Sequence, residues 1–166
     1  MTASTKFVRQ VWASFLKTNG HDATCFPNLQ IISAKPGYVK ASLKVEPYNV
    51  NRLGTLHGGL IGSLVDTMGS LSVASKGLFM TGVSTDISTT YLKSSKPGDT
   101  IICETSLLNL GKTMAFTRTE ITNDGKLVAF GSHTKAVKPA WGHPKNVTFD
   151  ETGDTVLEGK IDEDVD

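Results

Sequence analysis

Residues 58–75 carry a single charged side chain, Asp66. Within that stretch Leu60, Ile61, Leu64, Val65, Met68, Leu71 and Ala74 recur at spacings of three and four, which predicts a helix. Its other face holds Gly62, Ser63, Gly69 and Ser70 where a surface helix would hold charges. A helix that is apolar or small all round has no side to offer water and must be enclosed. Each internal glycine costs about 1 kcal/mol against alanine. Such a sequence therefore points to close approach by a neighbouring backbone. The rest of the chain has to supply the wrapping.

It does so with strands. Residues 29–34 form a short apolar run, and Lys35-Pro36-Gly37 is a turn. Val39, Ala41, Leu43 and Val45 then alternate with Lys40, Ser42, Lys44 and Glu46, a half-buried strand that Pro47 ends. Beyond the helix, residues 83–92 alternate again through Val83, Thr85, Ile87, Thr89 and Tyr91. Residues 100–110 and 114–122 follow, divided by Gly111-Lys112, and Asn123-Asp124-Gly125 is a hairpin signal leading into 126–137. Strands joined by turns this short pair antiparallel. The predicted class is α+β, one antiparallel sheet wrapped around one long central helix. There is no internal repeat, P-loop or GxGxxG.

The 166 residues fit one domain with appended ends, and a net charge of +1 gives no general electrostatic case for nucleic-acid binding. Residues 1–22 read as an N-terminal amphipathic helix: Phe7, Val8, Val11, Trp12, Phe15 and Leu16 recur at helical spacing, and no acid precedes Asp22. The same features suit a mitochondrial presequence; a helix packed on the domain is the preferred reading. Cytoplasmic residence is expected, with a mitochondrial location as the alternative. Residues 23–138 form the main domain. Residues 139–166 hold eight acids against two lysines, a net charge of −6, so residues 1–138 carry +7. That acidic tail is expected to be poorly ordered. Cys25 and Cys103 stand far apart without a CxxC or a Cys/His cluster, so two reduced thiols and no metal site are expected. No apolar run is long enough for a membrane span.

Chemistry concentrates at the start of the central helix. The first N–H groups of a helix lack internal acceptors and carry the positive end of its dipole. Gly58 and Gly59 leave them open to a substrate oxygen, as an oxyanion hole requires. His57 either caps that helix or faces substrate. Asp66 is the second signal, because a carboxylate on an apolar helix is costly unless paired, hydrogen-bonded or protonated. It lies about 12 Å along the axis from Gly58, too far for both to serve one carbon within a chain. Two such helices running antiparallel about a two-fold axis would bring Asp66 of one copy toward Gly58 of the other.

Asn51, the stretch Gly54-Thr55-Leu56-His57-Gly58-Gly59, Leu64-Val65-Asp66, Gly82-Val83-Ser84 with Asp86, and Gly111-Lys112-Thr113 with Ala115-Phe116 together resemble the hotdog-fold thioesterases, including the phenylacetate-pathway group. The match spans roughly residues 5–137. It implies a homotetramer of hotdog dimers that hydrolyses acyl-coenzyme A thioesters, with coenzyme A entering as part of the substrate and no separate cofactor. It implies that His57 and Gly58 polarise the thioester carbonyl and that a partner-chain Asp66 acts as base or nucleophile. It further implies that Ser84 orients the lytic water, that Asn51 is a polar group at the site, and that Ser84, Tyr91, Asn109, Leu110, Gly111, Lys112, Thr113 and Met114 contact substrate or coenzyme A. Ala136 departs from the pattern, which has a histidine there near coenzyme A. A hydratase or dehydratase on the same fold and a non-catalytic acyl-coenzyme A binding module are the alternatives.

Overall fold

The structure, a computed structural model, describes residues 1–162. Helix α1 (Ala3–Lys17) and the short α2 (His21–Cys25) lead into strands β1 (Gln30–Lys35) and β2 (Tyr38–Lys44). The long helix α3 (Gly58–Ala74) follows, then β3 (Val83–Tyr91), β4 (Thr100–Leu110), β5 (Met114–Asn123) and β6 (Lys126–Ala136). The six strands make one antiparallel sheet in the order β1-β2-β4-β5-β6-β3, with α3 across its inner face. The central helix and the strands stand within a residue or two of their expected ends, whereas the N-terminal helix, expected over residues 1–22, ends at Lys17 and a separate short helix begins at His21. The predicted class holds.

The core forms where inward strand residues meet α3. Leu64, Met68 and Leu71 are fully buried against Val39, Ala41, Leu43, Ile101, Cys103 and Ile121. Burial pushes the Cys103 thiol up to about 12, which leaves it inert. One helix glycine explains the small-residue face: a Cβ on Gly69 would stand 2.7 Å from His133 Nδ1 and 2.8 Å from Thr117 Oγ1. Gly62 faces open space instead, so close approach is confined to the second half of α3.

α1 is a packed helix. Thr2 caps its start, and Phe7, Val8 and Val11 are fully buried while Trp12 donates its indole N–H to the Leu29 carbonyl.

The expected poorly ordered tail is corrected over residues 139–162; residues 163–166 lie outside the described residues. Strands β7 (Thr148–Phe149) and β8 (Val156–Glu158) form a hairpin beside α1. Val147 is buried, and Phe149 packs edge-on against Phe7 at 5.8 Å. The hairpin carbonyl of Gly153 accepts the Ser4 N–H at the open start of α1, and Gln10 and Asp162 exchange two hydrogen bonds. Averaged acidity hid a few well-spaced apolar anchors and acceptors that suit a helix N-terminus.

Candidate active site

α3 opens at His57, whose extended backbone (φ −67°, ψ 129°) lets its own Nδ1 accept the Gly59 N–H at 2.9 Å. The His57 carbonyl takes the N–H groups of Leu60 and Ile61. Gly58 alone in this first turn keeps an N–H without an acceptor among the described residues. Tyr91, at the end of β3, donates its hydroxyl to the Gly58 carbonyl at 3.0 Å and so braces the helix start. Asn51 Oδ1 accepts the Leu53 N–H at 2.9 Å and the Thr55 N–H at 3.3 Å, and its amide donates to Thr55 Oγ1. Its side chain shapes the loop that presents His57 and Gly58.

Eight residues down the helix a second cluster forms around Asp66, which is half exposed in the single chain rather than enclosed. A bulge between Ser84 and Asp86 interrupts β3 and turns the strand locally. Ser84 Oγ lies 3.4 Å from Asp66 Oδ1 and 2.9 Å from His133 Nε2. His133 is completely buried, and its Nδ1 lies 3.1 Å from the Asp66 carbonyl oxygen. A carbonyl only accepts, so Nδ1 carries the ring proton and Nε2 accepts the Ser84 hydroxyl. The hydroxyl hydrogen is thereby committed. Ser84 is left presenting lone pairs beside the Asp66 carboxylate.

Lys135 is buried two residues farther along β6, with Nζ donating to Ser70 Oγ at 2.9 Å. Burial pushes its ammonium pKa down, and the nearby Asp66 carboxylate opposes that. Burial first, then the Lys135 charge, pulls His133 down to about 4, against an upward pull from Asp66 and Asp86. At neutral pH the 3.6 Å approach of His133 Nε2 to Asp66 Oδ1 is therefore no ion pair. Asp66, Ser70, Ser84 and Lys135 line one cavity of about 350 Å³ together with Asp22 and Thr67, which are joined by a hydrogen bond.

His133 and Lys135 are the residues that sequence reasoning left unassigned. A signal was present. β6 places Ala129, Gly131, His133 and Lys135 on one face by strict alternation, and all four are buried. Two polar residues on an inward face need a reason.

The His133 shift has a measurable consequence. Unfolded, the ring binds its proton near 6.5; folded, only near 4. The unfolded chain thus holds the extra proton between those values, and stability falls as pH drops from 6.5 toward 4, by about 3 kcal/mol. Urea unfolding at pH 7 and pH 4.5 should show His133→Gln losing clearly less stability than wild type over that interval. Equal losses would refute a neutral buried ring.

The turn between β4 and β5 is the third element. Gly111 N–H donates to the Met114 carbonyl, and Lys112 and Thr113 are exposed. It lies at the Ser84 end of the sheet, since Met114 and Val83 both pair with Ala136. Within one chain the predicted residues therefore fall into two groups. Asn51, His57, Gly58 and Tyr91 gather at the helix start. Asp66 and Ser84 gather farther along, toward the turn of Asn109, Leu110, Gly111, Lys112, Thr113 and Met114.

A sheet closed on one helix, with an open helix start and a carboxylate two turns along, is the framework of a hotdog-fold thioester hydrolase. The chain belongs to the thioesterase superfamily, whose family model matches residues 53–129. Human acyl-coenzyme A thioesterase 13 is 37% identical to it over 137 residues, which are 81% of this chain and 97% of the relative. The structure of zebrafish thioesterase superfamily member 2 superposes with a TM-score of 0.74 at 36% identity, covering 82% of this chain and 98% of that one. A Streptococcus pneumoniae protein described as a hypothetical thioesterase, in a structure with coenzyme A, gives a TM-score of 0.68 at 28% identity over 74% of this chain and 94% of its own.

Proposed function

We propose that this protein hydrolyses fatty or aryl acyl-coenzyme A to the free acid and coenzyme A, at sites each completed by a second copy of the chain. One observation carries the reading. The unpartnered Gly58 N–H and Asp66, which Ser84 of β3 and His133 of β6 meet from the sheet, lie on one helix yet stand about 12 Å apart along it. Neither group can act alone on a thioester, and antiparallel apposition of two helices supplies each with the other. β3 supports this. Among the described residues it is a sheet edge paired only with β6, and Val83, Ile87 and Tyr91 on it are at least 40% exposed. A long edge with exposed apolar side chains is a template for pairing with another chain. Two such dimers make the expected homotetramer. Coenzyme A in the pneumococcal relative supports the substrate class.

In the proposed step the Gly58 N–H, at the positive end of α3, binds the thioester carbonyl oxygen. Asp66 of the partner copy takes a proton from water as the water oxygen bonds to the carbonyl carbon. Ser84, its own hydrogen held by His133, accepts the second water hydrogen and aims the attacking lone pair. The tetrahedral oxyanion gathers on the Gly58 N–H. Its collapse breaks the carbon–sulfur bond, and the thiolate leaves with the proton that Asp66 took. No redox step or separate cofactor enters this balance.

Free-thiol release over a panel from acetyl- to palmitoyl-coenzyme A, with phenylacetyl-coenzyme A included, tests the proposal. At least one member should release thiol and acid in equal amounts. Tight binding with no thiol across the panel would leave a binding module instead, and a hydratase would likewise release none.

A further inference from the structure

Trp141 is 47% exposed, and its position is nevertheless fixed. Its indole N–H donates to the Lys112 carbonyl at 3.0 Å, and Asn146 donates to the Trp141 carbonyl at 3.1 Å. The preceding short 3-10 helix (Lys138–Ala140) is pinned by buried Ala140, which packs with Val73, Leu78, Ala115 and Val137. An exposed indole held in one orientation is a prepaid stacking platform, since little freedom is lost when a ring lies on it. Two exposed lysines belong to the segments that meet at the indole, Lys112 on the β4–β5 turn, whose carbonyl takes the indole N–H, and Lys138 three residues upstream. The indole also borders a cavity of about 490 Å³ whose lining includes Leu78, Val147 and one cation, Lys76, against two acids, Asp150 and Glu151. The two acids outnumber Lys76 there, so the cavity does not favour phosphate, which leaves the Lys112 and Lys138 side to the phosphates and the indole to a neutral aromatic ring.

We infer that Trp141 stacks on the adenine ring of the substrate's coenzyme A moiety, with Lys112 and Lys138 facing its phosphates. This rests on the reading of the substrate as an acyl-coenzyme A. The contact comes from the C-terminal segment, beyond the residues 53–129 that the family model matches. Stacking of one base on an aromatic side chain corresponds to roughly 5- to 100-fold in affinity.

The chain has two tryptophans, and Trp12 is buried, so a change in indole emission on ligand binding reports Trp141. Coenzyme A should quench the emission of the wild-type protein, whereas pantetheine should not. Trp141→Ala should raise the Kd for coenzyme A, and the KM for whichever acyl-coenzyme A is turned over, by about 5- to 100-fold with kcat unchanged. Its KM for the matching acyl-pantetheine should equal that of the wild type. Trp141→Phe keeps a ring without the indole N–H and should retain most of the affinity. A Trp141→Ala protein with wild-type melting temperature and wild-type Kd for coenzyme A overturns the inference, even if thioester hydrolysis stands. Conversely, quenching by coenzyme A in a protein that releases no thiol would uphold the platform while the proposed hydrolysis fails.

Discussion

Asp66→Ala should lower kcat for acyl-coenzyme A hydrolysis by about 10²- to 10⁴-fold, the usual contribution of a positioned general base. KM should change far less, because in the proposed step the carboxylate acts on water rather than on the acyl chain or nucleotide. The side chain is half exposed and among the described residues makes only a 3.4 Å contact to Ser84 and a 3.6 Å approach to His133, so removing it should leave folding and assembly intact. Asp66→Asn sharpens the test, since it keeps the shape and removes the basicity. Steady-state thiol release beside size-exclusion chromatography separates the two effects. Near-wild-type turnover by either variant would sink the base assignment.

Gly58→Pro should cost about 10²- to 10³-fold in kcat by deleting one oxyanion donor. Proline is well tolerated at the first position of a helix, where its missing N–H breaks no internal bond. The residue before it must be extended, and His57 already is, at φ −67° and ψ 129°. A Cβ at Gly58 meets only the Tyr91 ring at 3.4 Å, an ordinary contact. The variant should therefore fold with α3 unbroken, as far-ultraviolet circular dichroism would show. Coexpressing it with Asp66→Ala then asks where the site lies. In a mixed dimer, the Asp66→Ala chain supplies an intact Gly58 and the Gly58→Pro chain an intact Asp66. One whole site re-forms per mixed dimer, and activity should recover to roughly a quarter of wild type. A site contained within one chain would show no recovery.

His133 shows why part of this site was hidden from sequence. Its neighbours Thr134 and Lys135 give it no local role. It gains one only because β3 and β6 pair Ser84 with Lys135, and because α3 lies close enough for the Asp66 carbonyl to meet its ring. Gly69 makes that approach possible, and the glycine was visible while its purpose was not. Asp66 was legible for the opposite reason: one carboxylate on an otherwise uncharged helix conflicts with its surroundings whatever the neighbours are. The tail misled because composition averages over Val147 and Phe149, two anchors whose worth depends on where α1 lies.

By itself the sequence determined the elements and their order, because helical and strand periodicity, turn residues and the uncharged run of 58–75 all act over a few neighbouring positions. It also marked the start of α3 and Asp66 as the chemical anomalies. Only the tertiary structure decided the strand order that leaves β3 as a free edge and brings His133 under Ser84. The same long-range packing buried Lys135 and laid the β7–β8 hairpin against α1. Those features depend on contacts between residues dozens of positions apart, and no local pattern encodes which distant partner a side chain will meet.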